Sequence, residues 1–144
     1  MRAPLFIVAA AVAALAGATN AASSSHPQVS SVQGIYTGTQ AKEGAALYAA
    51  QCAMCHGQNL EGTFDTPSLR GKFIADWNGA PVSALFGYIG NVMPQFAPGS
   101  LSPDDEARII AFLLHANGMP EGAAPLPADP EALKSMLLSP VPAR

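Results

Sequence analysis

The chain has 144 residues, about one domain's worth, with seven Lys or Arg against ten Asp or Glu and a formal charge of −3. That acidic balance argues against nucleic acid and anionic membrane surfaces as partners. No internal repeat or long charge run divides the chain. Arg2 supplies a short positive region, and Leu5 to Leu15 is an uninterrupted apolar run. Ala16-Gly17-Ala18 follows as an A-x-A cleavage site, with Thr19-Asn20-Ala21 as a second candidate. Residues 1–21 therefore read as a secretory signal peptide, which implies export to the periplasm. The competing reading is a retained anchor, but the run is shorter than the ~20 residues a spanning helix needs. No other long apolar run occurs, so no stable membrane insertion is expected after cleavage, and no cysteine near the site suggests a lipid anchor. Arg2 departs with that peptide, leaving six basic residues against ten acidic ones.

Residues 22–38 are rich in Ser, Gly, Gln and Val without a clear period and read as a flexible leader. A helix is predicted from about Gln40 to Gln51, with Thr39 as its N-cap. Gly44, Tyr48 and Cys52 fall at i, i+4 and i+8 beside Ala41 and Ala45, a small face suited to close packing. Glycine inside a helix costs about 1 kcal/mol relative to alanine, and a close helix crossing at Gly44 would explain its presence.

Cys52-Ala53-Met54-Cys55-His56 follows directly and uses both cysteines of the chain. The C-x-x-C-H form is that of covalent haem attachment. Each sulfur can add to one haem vinyl group as a thioether, and the next histidine is then placed to bind the iron axially. The alternatives are a redox disulfide, half a zinc site, or chance. A redox C-x-x-C belongs in a βαβ pattern, whereas these flanks read as helical. A tetrahedral zinc site needs two further Cys or His ligands at matching spacing, and no second pair exists.

Gly57 to Asn78 reads as loop, punctuated by Gly, Asn, Pro and Thr. A short helix is predicted from Pro81 to about Ile89, ended by Gly90-Asn91. Met93-Pro94-Gln95-Phe96 lies in a segment held open by Pro94 and Pro98. The last strong helix begins with Ser102 as N-cap, Pro103 at the first position, and Asp104, Asp105 and Glu106 complementing the helix dipole. Ile109, Ile110, Phe112, Leu113 and Leu114 form its apolar arc, Arg108 and His115 lie opposite, and Asn117-Gly118 ends it. Six later prolines forbid a long helix beyond, although Asp129-Pro130-Glu131 can start a short one to about Leu138.

Over residues 39–118 this order of features resembles the class I c-type cytochromes, small all-α monohaem electron carriers. The resemblance is carried by Gly44, Tyr48, Cys52-x-x-Cys55-His56-Gly57, Pro67-x-Leu69, Met93-Pro94 and Phe112. The tail from Asn117-Gly118-Met119-Pro120, with Leu126 and the Asp129-Pro130 helix, is similar to cytochromes associated with PQQ-dependent dehydrogenases. The resemblance implies a cytochrome c fold of three to five helices around one covalent haem c, with residues 119–144 as a proline-rich extension. It implies His56 and Met93 as axial ligands, with a Pro67 carbonyl accepting from the His56 ring N–H and Leu69 packing nearby. Met93 lies 37 residues beyond His56 in an extended segment, where a loop can fold over the far haem face. Its alternative role is core filler, and His115 and His26 are the other possible ligands. Trp77 is a candidate donor to a haem propionate, with core packing as the alternative. Arg70 and Lys72 are near enough in sequence to neutralise propionates, Lys72 being better suited to solvent.

His/Met ligation suits electron transfer. The expected function is thus a non-enzymatic periplasmic electron carrier between redox partner proteins, a dehydrogenase donor and an oxidase or other cytochrome acceptor. The alternatives are a haem-bearing subunit of a periplasmic dehydrogenase or sulfur-oxidising complex, and a haem-based gas sensor.

Overall fold

A computed structural model describes residues 27–140. The predicted signal peptide and His26 lie outside the described residues. In chain order come a short strand β1 (Val29–Ser30), a 3-10 turn (Ser31–Gln33), α1 (Gly38–Gln51), α2 (Ala53–His56), α3 (Phe73–Asp76), α4 (Val82–Val92), α5 (Pro103–Ala116), α6 (Pro130–Leu133) and a second short strand β2 (Met136–Leu137). The fold is all-α, with α1, α4 and α5 as its frame and one parallel pair of two-residue strands at its edge.

The frame is built on the α1–α5 crossing, the densest packing between elements. A Cβ placed on Gly44 would overlap the Arg108 carbonyl oxygen and press on Phe112 Cβ, so only glycine lets the two backbones meet there. Tyr48 and Phe112 stack beside it with ring centroids 5.1 Å apart. Arg108 spans the crossing on its outer side, 3.0 Å from Glu43 on α1 and 3.0 Å from Asp105 on its own helix. Ile109, Ile110, Leu113 and Leu114 are buried beneath, as the apolar arc requires. Ser102 caps α5 by accepting from the Asp105 N–H, with Pro103 at the first helical position.

Several boundaries differ from the sequence reading. Thr37, not Thr39, caps α1 by accepting from Gln40 N–H, so the helix starts at Gly38. The α4 helix runs through Gly90 and Asn91 to Val92. The Glu106 carboxylate lies over Gly90 where a Cβ would be, and Asn91 Nδ2 donates to Gly87 O, so neither residue needs to end the helix. The predicted 57–78 loop contains the single turn α3, which buries Ile74.

The leader is the largest correction. Residues 29–37 are packed, not flexible: Ser31 and Tyr36 are fully buried and Ile35 nearly so. Their partners lie in the tail. Tyr36 Oη donates to Met119 O at 2.6 Å, and Gly122 N–H donates to Tyr36 O at 2.6 Å. The Gln40 side chain exchanges two hydrogen bonds of 2.8 Å with the backbone of Leu126. Beyond α6 the predicted helix gives way to β2, which pairs Met136 with Val29 and Leu137 with Ser30. Leu126, Leu133 and Leu138 are buried by this arrangement, so the tail folds back onto the body.

Candidate haem site

Cys52 ends α1, its N–H donating to Tyr48 O at 2.8 Å, and the chain turns at once into α2. His56 N–H donates to Cys52 O at 2.9 Å, which carries His56 round one helical turn onto the same side as the first cysteine. Gly57, at φ +82°, then stops the turn. Tyr48 Oη donates to Gly57 O at 2.7 Å and pins that stop back onto α1. Burial raises the Tyr48 phenol to about 12, with Cys52 and Glu61 adding to the shift, so it remains a donor at any physiological pH. Burial, then Cys55, pushes the Cys52 thiol up to about 11, while Cys55 is exposed.

The following loop returns to the histidine through its own backbone. Gly62 N–H donates to His56 O at 2.8 Å, and Thr63 N–H to Thr66 O at 2.8 Å. Leu69 N–H and Ser68 Oγ both donate to Leu60 O, at 2.9 Å each. That fold-back sets the Pro67 carbonyl oxygen 3.0 Å from His56 Nδ1. A carbonyl can only accept, so Nδ1 carries a proton, and Nε2 is the ring nitrogen left without a protein partner at this contact. Asn117, just past α5, donates its amide to Leu69 O at 2.8 Å and ties the loop to the frame.

Cys52, Cys55, His56, Pro67 and Leu69 line a cavity of about 540 Å³. Met93 lines it too: the residue caps α4, with its N–H donating to Ile89 O at 2.9 Å, and its extended backbone leads the chain away from the helix axis. Leu85 and Ile89 of α4, Ile109 and Leu113 of α5, and Phe73 complete apolar walls. Trp77 also lines the cavity, its ring centroid 5.9 Å from that of Tyr88.

Seven of the eight sequence-selected residues therefore meet at one cavity. Arg70 does not: it is exposed and outside the lining, and its charge opposes the upward shift of the Tyr48 phenol. Asp76 is the one Asp, Glu, Lys or Arg among the described residues of that lining. The rival methionines are elsewhere engaged. Met119 is buried, its sulfur 3.6 Å from Ser31 Oγ, and Met136 lies in β2. His115 is more than half exposed, with Nδ1 3.5 Å from both Tyr36 Oη and Glu121 Oε1. Sequence reasoning missed Tyr88 and Phe73 as wall residues; the spacing of Leu85, Tyr88 and Ile89 on a helix was the available signal for the first.

The residues present fit a haem. A volume of this size is that of a cofactor site. Two cysteines, one histidine and the methionines Met93 and, at the rim, Met54 line an otherwise mainly apolar space, a donor set that suits iron in a porphyrin. No cluster of three His, Cys, Asp or Glu forms among the described residues, so a zinc centre lacks its ligands there.

The chain is 32% identical over 95 residues to the thiosulfate dehydrogenase of Stutzerimonas stutzeri (strain A1501), a match covering 61% of this chain and 30% of that protein. It also resembles the crystal structure of the sulfane dehydrogenase SoxCD from Paracoccus pantotrophus, with a TM-score of 0.50 and 27% identity, covering 78% of this chain and 60% of that one. The chain thus spans less than a third of the curated relative and less than two thirds of the solved chain. Residues 39–113, just over half of the chain, match the family described as cytochrome C oxidase, cbb3-type, subunit III. The chain belongs to that family of c-type cytochrome domains, and its cofactor is covalently bound haem c.

Proposed function

We propose that this protein is an exported electron carrier, with haem joined to Cys52 and Cys55 and its iron held between His56 and Met93. The observation that carries this reading is the 3.0 Å approach of His56 Nδ1 to the Pro67 carbonyl, on the cavity that Met93 also lines. That hydrogen bond fixes the tautomer and ring orientation, so the Nε2 lone pair is presented as the ligand and made more basic. The Met93 thioether supplies the soft second donor. When bound, the haem provides a one-electron Fe(III)/Fe(II) couple. Leu85, Ile89, Ile109 and Leu113 exclude water, and the three framing helices hold the donors in place through the redox change. Met54 and Phe96, 78% and 61% exposed at the cavity rim, offer an apolar contact for brief docking of a redox partner.

The signal-like residues 1–21 support a periplasmic location, and no helix among the described residues is long and apolar enough to cross a membrane. In this reading the chain turns over no substrate of its own. Both relatives are named as dehydrogenases, of thiosulfate and of sulfane sulfur, which supports a dehydrogenase as the electron donor. The test of attachment is acid–acetone extraction of the purified protein. Haem should stay with the polypeptide, and Cys52→Ala or Cys55→Ala should weaken or abolish its incorporation. Haem released into the organic phase from wild type would reject the assignment of the cysteines.

A further inference from the structure

The tail lies beyond residue 113, where the family match ends, yet it reaches the cavity wall. Trp77 and α4 form that wall, and the link between them, residues 78–81, has little to hold it. None of residues 75–81 is buried. The link is instead hydrogen-bonded to Leu138: Gly79 N–H donates to Leu138 O at 2.8 Å, and Leu138 N–H donates to Ala80 O at 2.9 Å. Ala80 N–H in turn donates to Trp77 O at 2.9 Å, which closes the turn that carries the tryptophan. Leu137 bridges Pro81 in the same strand-like manner.

Leu138 is itself fixed from several directions. Its side chain is fully buried. The adjacent β2 pairs with β1 on its other edge. Ser31 Oγ, fully buried, donates to Ser139 O at 3.1 Å and accepts from Ser139 N–H at 3.0 Å. The tail is thus a strap with one edge on the leader and the other on the Trp77 turn.

We propose that Leu138 is a positioning residue for the haem: through two backbone hydrogen bonds and its buried side chain it holds Trp77 against the cavity and keeps that wall closed to water. The proposal rests on the reading that haem fills the cavity. A loosened wall admits solvent, which favours the more highly charged ferric state and lowers the reduction potential.

Trp77 is the single tryptophan of the chain, so its emission reports its distance from the haem. The full-length, haem-loaded protein is compared with Leu138→Pro, which removes the N–H donor, and Leu138→Ala, which removes the side chain. Leu126→Ala serves as a control that loosens the tail at its Gln40 end. Wild-type emission should be strongly quenched relative to the guanidinium-unfolded protein. Both Leu138 variants should show higher emission while folded and a lower midpoint potential, whereas Leu126→Ala should melt earlier with emission and potential as in wild type. Leu138 variants that melt earlier but keep wild-type emission and potential would make the tail a brace alone and overturn the proposal. If Leu138→Pro does not accumulate, Leu138→Ala decides by the same two readouts. Unquenched Trp77 in folded wild type would instead overturn the placement of haem in the cavity, and the proposal with it.

Discussion

Glu106 shows how a single residue can be placed by packing against its own chemistry. Its side chain is only 6% exposed, set over Gly90, and makes no ion pair among the described residues. Neither α4 nor the 93–102 segment that follows carries an Asp, Glu, Lys, Arg or His to face it. Burial therefore pushes its carboxyl above the ordinary glutamate value. The folded state then binds the proton more tightly than the unfolded one. Its contribution to stability is fully present below the unfolded value of about 4.3 and declines as pH rises through the raised folded value. Glu106→Gln should remove that slope and be more stable than wild type at neutral pH. Denaturant midpoints measured from pH 4 to 8 check this, and parallel curves for the two proteins would contradict it. The same residue could not be read from sequence as buried, because Asp104, Asp105 and Glu106 together already satisfy a helix N-terminus.

Among the elements, the α1–α5 crossing and the tail make opposite demands. At the crossing, space is the limit: Gly44→Ala must push Arg108 carbonyl away and should cost roughly 1–3 kcal/mol, read as a lower denaturant midpoint. An unchanged midpoint would mean that the backbones do not touch there. In the tail, burial is the gain. Leu133, fully buried on α6, should lose about 2–5 kcal/mol on replacement by alanine. A melting temperature within error of wild type would show the tail to be detached in solution. The crossing was legible because it is local to two helices: Gly44 shares a helix face with Tyr48 and Cys52, where glycine weakens the helix unless another backbone takes up the space. The strap was not. Val29–Ser30 and Met136–Leu137 are two-residue strands more than a hundred positions apart, too short to show alternation, and their pairing rests on backbone groups that every sequence has. The proline content of the tail correctly forbade a long helix but did not reveal where the chain would go instead.

For the whole molecule, the haem-binding half was written in contiguous motifs and the walls were not. Cys52, Cys55 and His56 lie within one turn, so their spacing is their geometry. Met93 and Pro67 needed the resemblance to a family, since only the folded loop brings Pro67 O to His56 and only the end of α4 turns Met93 to the same cavity. Arg70 lies outside the cavity lining, because nearness in sequence says nothing of which way a loop side chain faces. The central claim, an iron held between His56 and Met93, is tested most directly by redox titration and visible spectroscopy of wild type and Met93→Ala. Wild type should show the weak long-wavelength absorption of sulfur bound to iron(III), and Met93→Ala should lose it, titrate at a lower potential and bind carbon monoxide. A Met93→Ala protein that keeps both the band and the potential of wild type would contradict the account and assign the sixth position to another residue.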